Sequence, residues 1–453
     1  MKKLSSLKYL VASLILAIPL YPKFPFISVP GTYVSIRIED FIIGLIVLVW
    51  FVNILPNLKD FLHNRLTQSF IIFFIVTAVS VFSAVYLTQT APLGLGVLHW
   101  ARRVEYMICF FIAMSAVRSK QDLLFYIKCL CLVALYATVY GIGQKYFNLP
   151  IVTTQNSEYS KGLALEYISG GHLVSTFAGH YDLANFLLIV LPVLYLLLVS
   201  PVAKNIFSKI AIFVTISSGL WLLVNTASRI SILSYFVGVS LSLFLFKKAR
   251  LIPIFVIFSL IFIASSSSLI SRYTQVFEVY FQKYINISQV QIVHDASAQG
   301  IPSVPKPTNL PSPSPLAPAV EVVEDRSTSI RLNVEWPRAI RAFTKNPLLG
   351  TGYSSITLAT DNDYLRMLGE VGILGFLSFV LIFLNIGKVF LMNIKKLQGK
   401  DLISAYSIGI IGAVVATLIN AVFIDVFEAS KSAILFWICL GLAVGALKNV
   451  KKA

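Results

Sequence analysis

The sequence predicts an all-α protein that crosses a membrane about twelve times. Hydrophobic residues make up 57% of the 453 residues, charged residues only 13%, and the mean hydropathy is +0.81. Apolar stretches of about 20 residues, the length that crosses a hydrocarbon core of about 30 Å, recur along most of the chain. Lipid offers no partner to backbone polar groups, and the alternating pattern of a membrane β-barrel is absent, so each stretch is predicted to be a helix. This composition excludes an ordinary soluble domain.

Twelve apolar stretches are predicted to span the membrane. The first is short and follows the basic start MKK in the manner of a signal peptide, but no small-residue cleavage site precedes Pro22 and Pro25. We therefore expect an uncleaved helix there. The predicted spans are residues 7–21, 39–56, 68–88, 96–117, 121–145, 180–200, 206–224, 229–246, 251–270, 364–391, 402–423 and 431–447.

The net charge of +17 is distributed as in a membrane protein, which argues against a nucleic-acid partner. An even number of spans places both termini on one side, and the lysines near each terminus mark that side as cytoplasmic. Most other loops assigned to this side carry Lys or Arg, whereas the outer turns TQTAPLG and IDVFEAS carry neither. Lys23 and Arg37, on the first outer loop, are the exceptions.

A long outer segment divides the chain into three predicted parts. Residues 1–270 hold the first nine spans, residues 271–363 form an extracytoplasmic loop, and residues 364–453 hold the last three spans. Seven prolines lie between Pro302 and Pro318, so the Pro/Ser-rich stretch 300–320 is predicted to be an extended linker without a packed core. The flanking segments SRYTQVFEVYFQKYINI and STSIRLNVEWPRAIRAFTKNPLLGTGYSS are predicted to form interfacial helices.

The sequence contains no motif for a cofactor or a metal. The four cysteines lie in or beside predicted spans without metal-ligand spacing, and the five histidines are scattered. A P-loop and a Gly-rich dinucleotide turn are both absent. Asp361 and Asp363 have the spacing that can hold a metal on a nucleotide sugar, but they fall on the predicted outer face, where nucleotide sugars are not supplied. We therefore expect no cofactor and no metal.

Charged residues near lipid are the candidate functional groups, because their insertion costs a few kcal/mol. Each also has a structural explanation. Arg366 and Glu370, four apart on one predicted helix, are expected to pair, and Arg102 and Glu105 have a spacing that allows the same. Other arginines can snorkel or face solvent, and acids at a helix start can cap it. The candidates on the outer face are Arg102, Arg103, Glu105, Arg229, Arg331, Arg338, Arg341, Asp361 and Asp363.

Three segments resemble the O-antigen ligase and polymerase family. The run SIRLNVEWPRAIRAFTKNPLLGTGYSSITLATDNDYLRMLGEVGILGFLSFVL resembles the family signature, in which an Arg and a Trp precede an NPLLGxG turn, a polar step and E-x-G-I-L-G. STFAGHYDLANFLLIVLP and NTASRISILSYFVGV are similar to two further family segments, in the same order. The resemblance implies a GT-C type glycosyltransferase that takes a glycan from undecaprenyl diphosphate at the outer face of the bacterial cytoplasmic membrane.

The resemblance also implies roles for individual residues. The family arginine at the outer end of a span corresponds to Arg229, and the arginine of the outer loop corresponds to Arg331. Ligases commonly carry a His before Asn where this chain has Asp361 followed by Asn362, a departure that favours a polymerase and leaves the general base open. Two guanidiniums suit a departing diphosphate, and a carboxylate whose pKa burial has raised suits the acceptor proton.

Further residues complete the predicted site. Asp363 is the second candidate for the base, His180 and Asp182 are alternatives, and Trp336 either stacks on a sugar ring or packs. The predicted catalytic residues are Arg229, Arg331 and Asp361, and the predicted substrate-binding residues are Arg102, Arg103, His180, Arg338, Asn362, Asp363 and Tyr364.

Three classes of function remain open at this point. The first is a polymerase, or a ligase that transfers the glycan to a lipid or protein acceptor, with a chain-length regulator as a further partner. The second is a transporter or flippase of lipid-linked oligosaccharide, which would place charge at mid-bilayer and Gly or Pro breaks in two similar halves. The third is a non-catalytic assembly component, for which replacing Arg229 or Asp361 by Ala would leave polymer formation intact.

Overall fold

The computed structural model describes residues 5–21, 26–29, 35–151, 167, 171–266, 274, 329–356, 359–399 and 401–450. Within these ranges the protein is helical apart from an antiparallel pair of two-residue strands, Ile27–Ser28 and Ser35–Ile36. The helices are α1 (Ser5–Leu20), α2 (Ile38–Ile54), α3 (Leu58–His63), α4 (Arg65–Tyr86), α5 (Leu93–Ala116), α6 (Lys120–Tyr146), α7 (His180–Val199), α8 (Ile206–Asn225), α9 (Arg229–Leu245), α10 (Ile252–Ala264), α11 (Trp336–Lys345), α12 (Asp363–Met392), α13 (Ile394–Leu397), α14 (Leu402–Asn420) and α15 (Ser430–Asn449).

Each of the twelve predicted spans coincides with a helix. Among the described residues, 8 helical segments are long and apolar enough to cross a membrane, the first of them running from α2 through α3. The apolar helices α1, α9 and α10 are shorter, and α5 has its apolar run interrupted by Arg102, Arg103 and Glu105. The all-α, multi-pass membrane fold is therefore confirmed, with eight of the twelve spans meeting both criteria.

The helices pack around α7, α14 and α15, whose side chains are largely buried. Helix α14 lies against α7 and α9, α12 lies against α4, and α15 lies against α5. The approach of α15 to α5 is close, since a Cβ on Gly441 would lie 2.2 Å from the Phe110 carbonyl oxygen. Small residues at such contacts let two membrane helices approach without a side chain between them.

One end of the bundle gathers the start of α1 and the end of α15. Lys8 Nζ lies 2.8 Å from Asp122 Oδ1 at the start of α6, and Lys120 Nζ lies 3.1 Å from Asp401 Oδ2 before α14. Asn449 Nδ2 donates to the Met114 carbonyl oxygen at 2.9 Å, which brings the end of α15 to the end of α5. Several of the lysines that the sequence assigns to the cytoplasmic side thus lie together, at the end opposite the starts of α7, α9 and α12.

The long loop before α12 is described only in its last part. The predicted linker at 300–320 lies outside the described residues, as does the first predicted interfacial helix apart from Thr274. The second predicted interfacial helix coincides with a π-helical turn at Arg331–Glu335 followed by α11.

Candidate active site

A turn and a broken helix form the scaffold of the site. Helix α12 is interrupted at Gly372, where φ is +67° and ψ is −173°. The turn at residues 346–352 supplies hydrogen-bond partners at the interruption. The N–H groups of Ile373 and Leu374, which follow Gly372, donate to the carbonyls of Pro347 and Leu348 at 2.9 and 3.2 Å. A Cβ on Gly372 would lie 2.3 Å from the Leu348 carbonyl oxygen. Lipid offers no hydrogen-bond partner to the backbone groups at this interruption. The turn NPLLGTG and the helix segment GEVGILG are therefore needed together.

A buried ionic network joins α12 to the turn between α14 and α15. Arg366 on α12 is 2% exposed, and its Nη1 lies 3.2 Å from Asp425 Oδ2. Its Nε lies 3.5 Å from Glu370 Oε1, which confirms the predicted pair along the helix, and 3.8 Å from Glu428 Oε2. Arg103 on α5 forms an ion pair with Glu428 as well. Burial of this many charges is tolerated because each faces an opposite charge.

The segment before α12 is held by backbone hydrogen bonds on both sides of Asp361. The N–H groups of Thr360 and Asn362 donate to the two oxygens of Asp425 at 2.9 and 3.1 Å. Asn362 also caps α12, because its Oδ1 accepts from the Leu365 N–H at 2.9 Å. Between these anchors Asp361 has a φ of +48°, in the left-handed region. Asp361 is therefore the residue of this segment whose backbone conformation is strained.

Asp361 and Arg331 form the ion pair at the centre of the site. Arg331 Nη2 and Nε donate to the same oxygen, Asp361 Oδ2, at 2.7 and 3.0 Å. Arg331 Nη2 also donates to the Tyr181 hydroxyl at 3.1 Å. The Arg331 side chain is 11% exposed and that of Asp361 is 24% exposed. Burial raises the pKa of Asp361 and the nearby Asp425 carboxylate adds to the rise, while Arg331 opposes it.

A chain of contacts links Arg331 to the loop that carries Arg229. The Tyr181 ring lies 3.9 Å from the His180 ring, centroid to centroid, and the His180 ring stacks on His172 at 3.8 Å. His172 Nδ1 in turn lies 2.7 Å from the carbonyl oxygen of Thr226, three residues before Arg229. Arg229, the first residue of α9, therefore lies at the same end of the bundle as the Arg331–Asp361 pair.

The start of α9 is also tied to α14. Ser228 Oγ lies 2.7 Å from Ser231 Oγ, which donates to Asn420 Oδ1 at 3.0 Å. The next residue of that helix end, Ala421, accepts the Asp363 N–H at 3.0 Å. The loops before α9 and α12 thus meet at the end of α14.

The remaining predicted residues make mainly structural contacts. Asp363 Oδ2 accepts the N–H groups of Val426 and Phe427 at 2.7 and 3.2 Å. The Tyr364 hydroxyl donates to the Leu418 carbonyl oxygen at 2.7 Å. These contacts anchor the site, so a direct part for either side chain in binding substrate stays a prediction.

The two arginines of α5 face acids on other elements. Arg102 Nη2 lies 3.9 Å from Asp40 Oδ2 on α2, so the ion pair that the structure gives it crosses between helices. Arg103, besides its pair with Glu428, has its guanidinium carbon 5.4 Å from the centre of the Tyr353 ring. Both guanidiniums therefore face acids in this structure.

Glu335 was missed in the sequence analysis. It ends the π-helical turn that Arg331 begins, and burial together with Asp361 raises its pKa to about 7, against the opposing charges of Arg331 and Arg338. Asp425 and Glu428 were not predicted either, although they lie in the outer turn IDVFEAS, which carries no basic residue. In both cases the signal was an acid next to a predicted cationic site.

Two cavities lie below the site. A small one of 30 Å³, room for about one water molecule, is lined by Arg103, Asp363, Glu370 and Glu428 among others. A larger apolar cavity of 580 Å³ lies between the ends of α9 and α12 and one face of α14. Its lining includes Phe246, Phe390, Ile411, Val415 and Leu418, so it reaches the residue whose carbonyl binds Tyr364. Within the described part of the chain, no three or more His, Cys, Asp or Glu side chains are grouped as a metal site.

The fold and the site define a multi-pass, all-helical membrane protein with charged residues gathered at one end. A family model described as O-antigen ligase matches residues 210–380, the segment that contains Arg229, Arg331, Asp361 and Glu370. The match confirms the resemblance carried by the sequence motifs, and it supports, at a coarse level, a membrane enzyme of the O-antigen ligase and polymerase type. No curated protein matches the chain.

Proposed function

We propose that this protein transfers glycan units from undecaprenyl diphosphate and thereby extends a surface polysaccharide at the outer face of the bacterial cytoplasmic membrane. The observation that carries the proposal is the contact between Arg331 and Asp361, which joins a cation to an acid of raised pKa inside the segment matched by the family model. Transfer to a different lipid or protein acceptor is the second candidate, favoured by the description of that family as a ligase.

The proposed reaction exchanges one bond at C1 of the donor sugar for another. The acceptor hydroxyl oxygen bonds to C1 while the bond from C1 to the diphosphate breaks, and the diphosphate leaves with the bonding electron pair. The hydroxyl proton passes to Asp361. Guanidiniums suit the charge that grows on the diphosphate because they stay protonated and offer paired donors, and in a site that excludes water they lower the barrier by several kcal/mol.

The Arg331–Asp361 contact couples these two events. While Asp361 is ionised, it holds two donors of Arg331, at 2.7 and 3.0 Å. Once Asp361 has taken the proton it is neutral, its hold on Arg331 weakens, and the guanidinium is available to the diphosphate. Arg229 is the second cation in this scheme, with Arg338, Arg102 and Arg103 in reserve. A divalent metal is then unnecessary for charge neutralisation.

The apolar cavity is the place we assign to part of the polyprenyl chain of the donor. It begins at Leu418, beside the start of α12, and continues along one face of α14 through Val415 and Ile411. A flexible apolar chain gains free energy from burial in such a cavity even when it leaves lipid, through contacts that lipid does not make as closely. The diphosphate end would then lie at the charged end of the bundle.

The orientation follows from the positions of the lysines. The end that holds Lys8, Lys120 and the end of α15 would face the cytoplasm, so that both termini are cytoplasmic and the site faces outward. Residues 271–363 would then form an extracytoplasmic loop between transmembrane parts 1–270 and 364–453. A chain-length regulator remains a proposed partner on that face.

The test is to incubate the purified protein with a short glycan on undecaprenyl diphosphate in the presence of EDTA. A ladder of glycan multiples with release of lipid diphosphate supports a polymerase, and a single transfer to a different acceptor supports a ligase. Failure to release lipid diphosphate with any acceptor would reject the proposed enzyme.

A further inference from the structure

Three neighbouring residues beside Asp361 each bury a polar atom that has no hydrogen-bond partner among the described residues. The atoms are Glu335 Oε2, Trp336 Nε1 and Arg338 Nη1. Buried polar atoms in folded proteins are nearly always paired, because leaving one unpaired costs the full penalty of removing it from water. Three such atoms within four positions mark this segment as a candidate site for a polar ligand.

Glu335 ends the turn that carries Arg331, and Trp336 and Arg338 lie in the first turn of α11, which follows it directly. In the π-helical turn at Arg331–Glu335 the backbone N–H of Trp336 donates to the Arg331 carbonyl oxygen. Turns of this kind are frequent at functional sites. The Trp336 ring is fixed by packing against Phe423, with the ring centres 6.0 Å apart. Arg331 in that turn contacts Asp361, and the Asp361 carboxylate acts on Glu335, so Glu335 lies near the proposed base.

The chemistry of the three atoms suits sugar hydroxyls. A carboxylate oxygen accepts from a hydroxyl, an indole N–H and a guanidinium donate to one, and the aromatic ring offers an apolar face. A diphosphate fits these three atoms poorly, because the Glu335 carboxylate would repel it. The ring that suits these atoms therefore carries hydroxyls and little negative charge.

We propose that Glu335, Trp336 and Arg338 form the subsite that holds the acceptor sugar while Asp361 takes the proton from its hydroxyl. This inference rests on the proposed transfer reaction. It adds a binding site for the acceptor beside Arg229 and Arg331, the two cations assigned to the diphosphate, and it assigns Arg338 to the acceptor instead of the diphosphate. It also gives Glu335 a positioning role beside Asp361.

The test measures KM for acceptor and donor separately. The probe acceptor is a short soluble repeat unit without lipid. The two test variants are Glu335→Ala and Trp336→Phe, which keeps a smaller aromatic ring but loses the indole N–H. The control is Asn333→Ala, in the turn that Glu335 ends. Asn333 is exposed and its Nδ2 donates to Ser329 Oγ, so it is outside the subsite. We expect the acceptor KM to rise about tenfold or more in Glu335→Ala and several-fold in Trp336→Phe, with little change in the control.

Donor KM should stay within about twofold of wild type, since a hydrogen bond to the acceptor alone has been removed. A rise in donor KM with an unchanged acceptor KM would overturn the assignment. Unchanged values for both would show that the three atoms bind only buried water.

A second measurement separates this inference from the proposed reaction. Saturation-transfer NMR with the same soluble glycan reports binding without catalysis, to the full-length protein in lipid discs. Binding that is lost in Glu335→Ala and kept in Asn333→Ala supports the subsite even if wild type transfers nothing, whereas equal binding by all three proteins contradicts it.

Discussion

Removing Arg331 and Asp361 separately and together should show that the two residues act as one unit. Asp361→Asn keeps the shape of the side chain but removes the proton acceptor, which should lower kcat by about 10²- to 10⁴-fold. Arg331→Ala removes both donors to Asp361, at 2.7 and 3.0 Å, and the donor to Tyr181. Loss of one preorganised charge contact typically lowers kcat by about 10²- to 10³-fold.

The double variant is the informative one. In the proposed mechanism Arg331 acts only after Asp361 takes the proton, so removing both should cost about as much as the worse single change, roughly 10²- to 10⁴-fold. Independent residues would give the product of the two losses. Arg331 also opposes the rise in the pKa of Asp361, so the acidic limb of the pH–rate profile should move to higher pH in Arg331→Ala.

The assay is single-turnover release of lipid diphosphate by protein in lipid discs, with thermal unfolding measured alongside. Loss of charge-assisted hydrogen bonds at a site that is 11% to 24% exposed should cost no more than about 1.5–3 kcal/mol in unfolding free energy, so the variants should remain folded. Lys345→Ala, which removes an exposed cation from the end of α11, is the matched control. Multiplicative losses in the double variant, or an unshifted acidic limb, would refute the coupling.

Three further predictions concern the cavity, the acceptor subsite and the broken helix. Val415→Trp should fill part of the apolar cavity and raise KM for a donor on a long polyprenyl chain more than for a donor on a short chain. Leu384→Trp, on the exposed face of α12, should raise neither KM. Equal effects of Val415→Trp on both donors would place the polyprenyl chain elsewhere. Burial and Asp361 raise the pKa of Glu335 to about 7, so its carboxylate forms as pH rises through that value. The acceptor KM should fall over the same pH range in wild type but not in Glu335→Gln. A pH dependence that persists in Glu335→Gln would assign the titration to another group. The charged groups that face Glu335 are Asp361, Asp425, Arg331 and Arg338. Gly372→Ala should lower stability by at least about 1–3 kcal/mol in thermal unfolding, from strain at φ +67° alone, while Gly387→Ala, whose new Cβ meets nothing within 4 Å, should not; equal melting temperatures would contradict this account of the break.

The membrane fold follows from properties that the sequence displays directly. Apolar runs of spanning length predicted every long helix, because in lipid the backbone has no alternative to internal hydrogen bonds. The spacing of Arg366 and Glu370 likewise predicted their contact, which depends only on helix geometry.

Contacts between distant segments could not be predicted from the sequence in the same way. Arg331 and Asp361 were both chosen as catalytic candidates, but nothing in their local sequence indicates that they bind each other across 30 residues. The spacing of Arg102 and Glu105 allows a pair along one helix, but it gives no sign of the ion pair between Arg102 and Asp40 on α2. Such pairs depend on how helices pack, which the local pattern of one helix does not specify.

The acids of the site were the clearest omission. Asp425 and Glu428 look like ordinary turn residues until the turn is seen beneath α12, where Asp425 binds the N–H groups of Thr360 and Asn362. An arginine buried near lipid requires a counter-charge, so the predicted cations themselves implied that such acids would exist. Their positions along the chain could not be inferred from that requirement alone.

The central claim is tested most directly by a cryo-electron microscopy map of the protein with bound undecaprenyl diphosphate. We predict that the guanidiniums of Arg229 and Arg331 both lie within hydrogen-bond distance, about 3 Å, of one diphosphate group at the end of the bundle where α9 and α12 begin. A diphosphate bound at the opposite end, or held by neither arginine, would contradict the account.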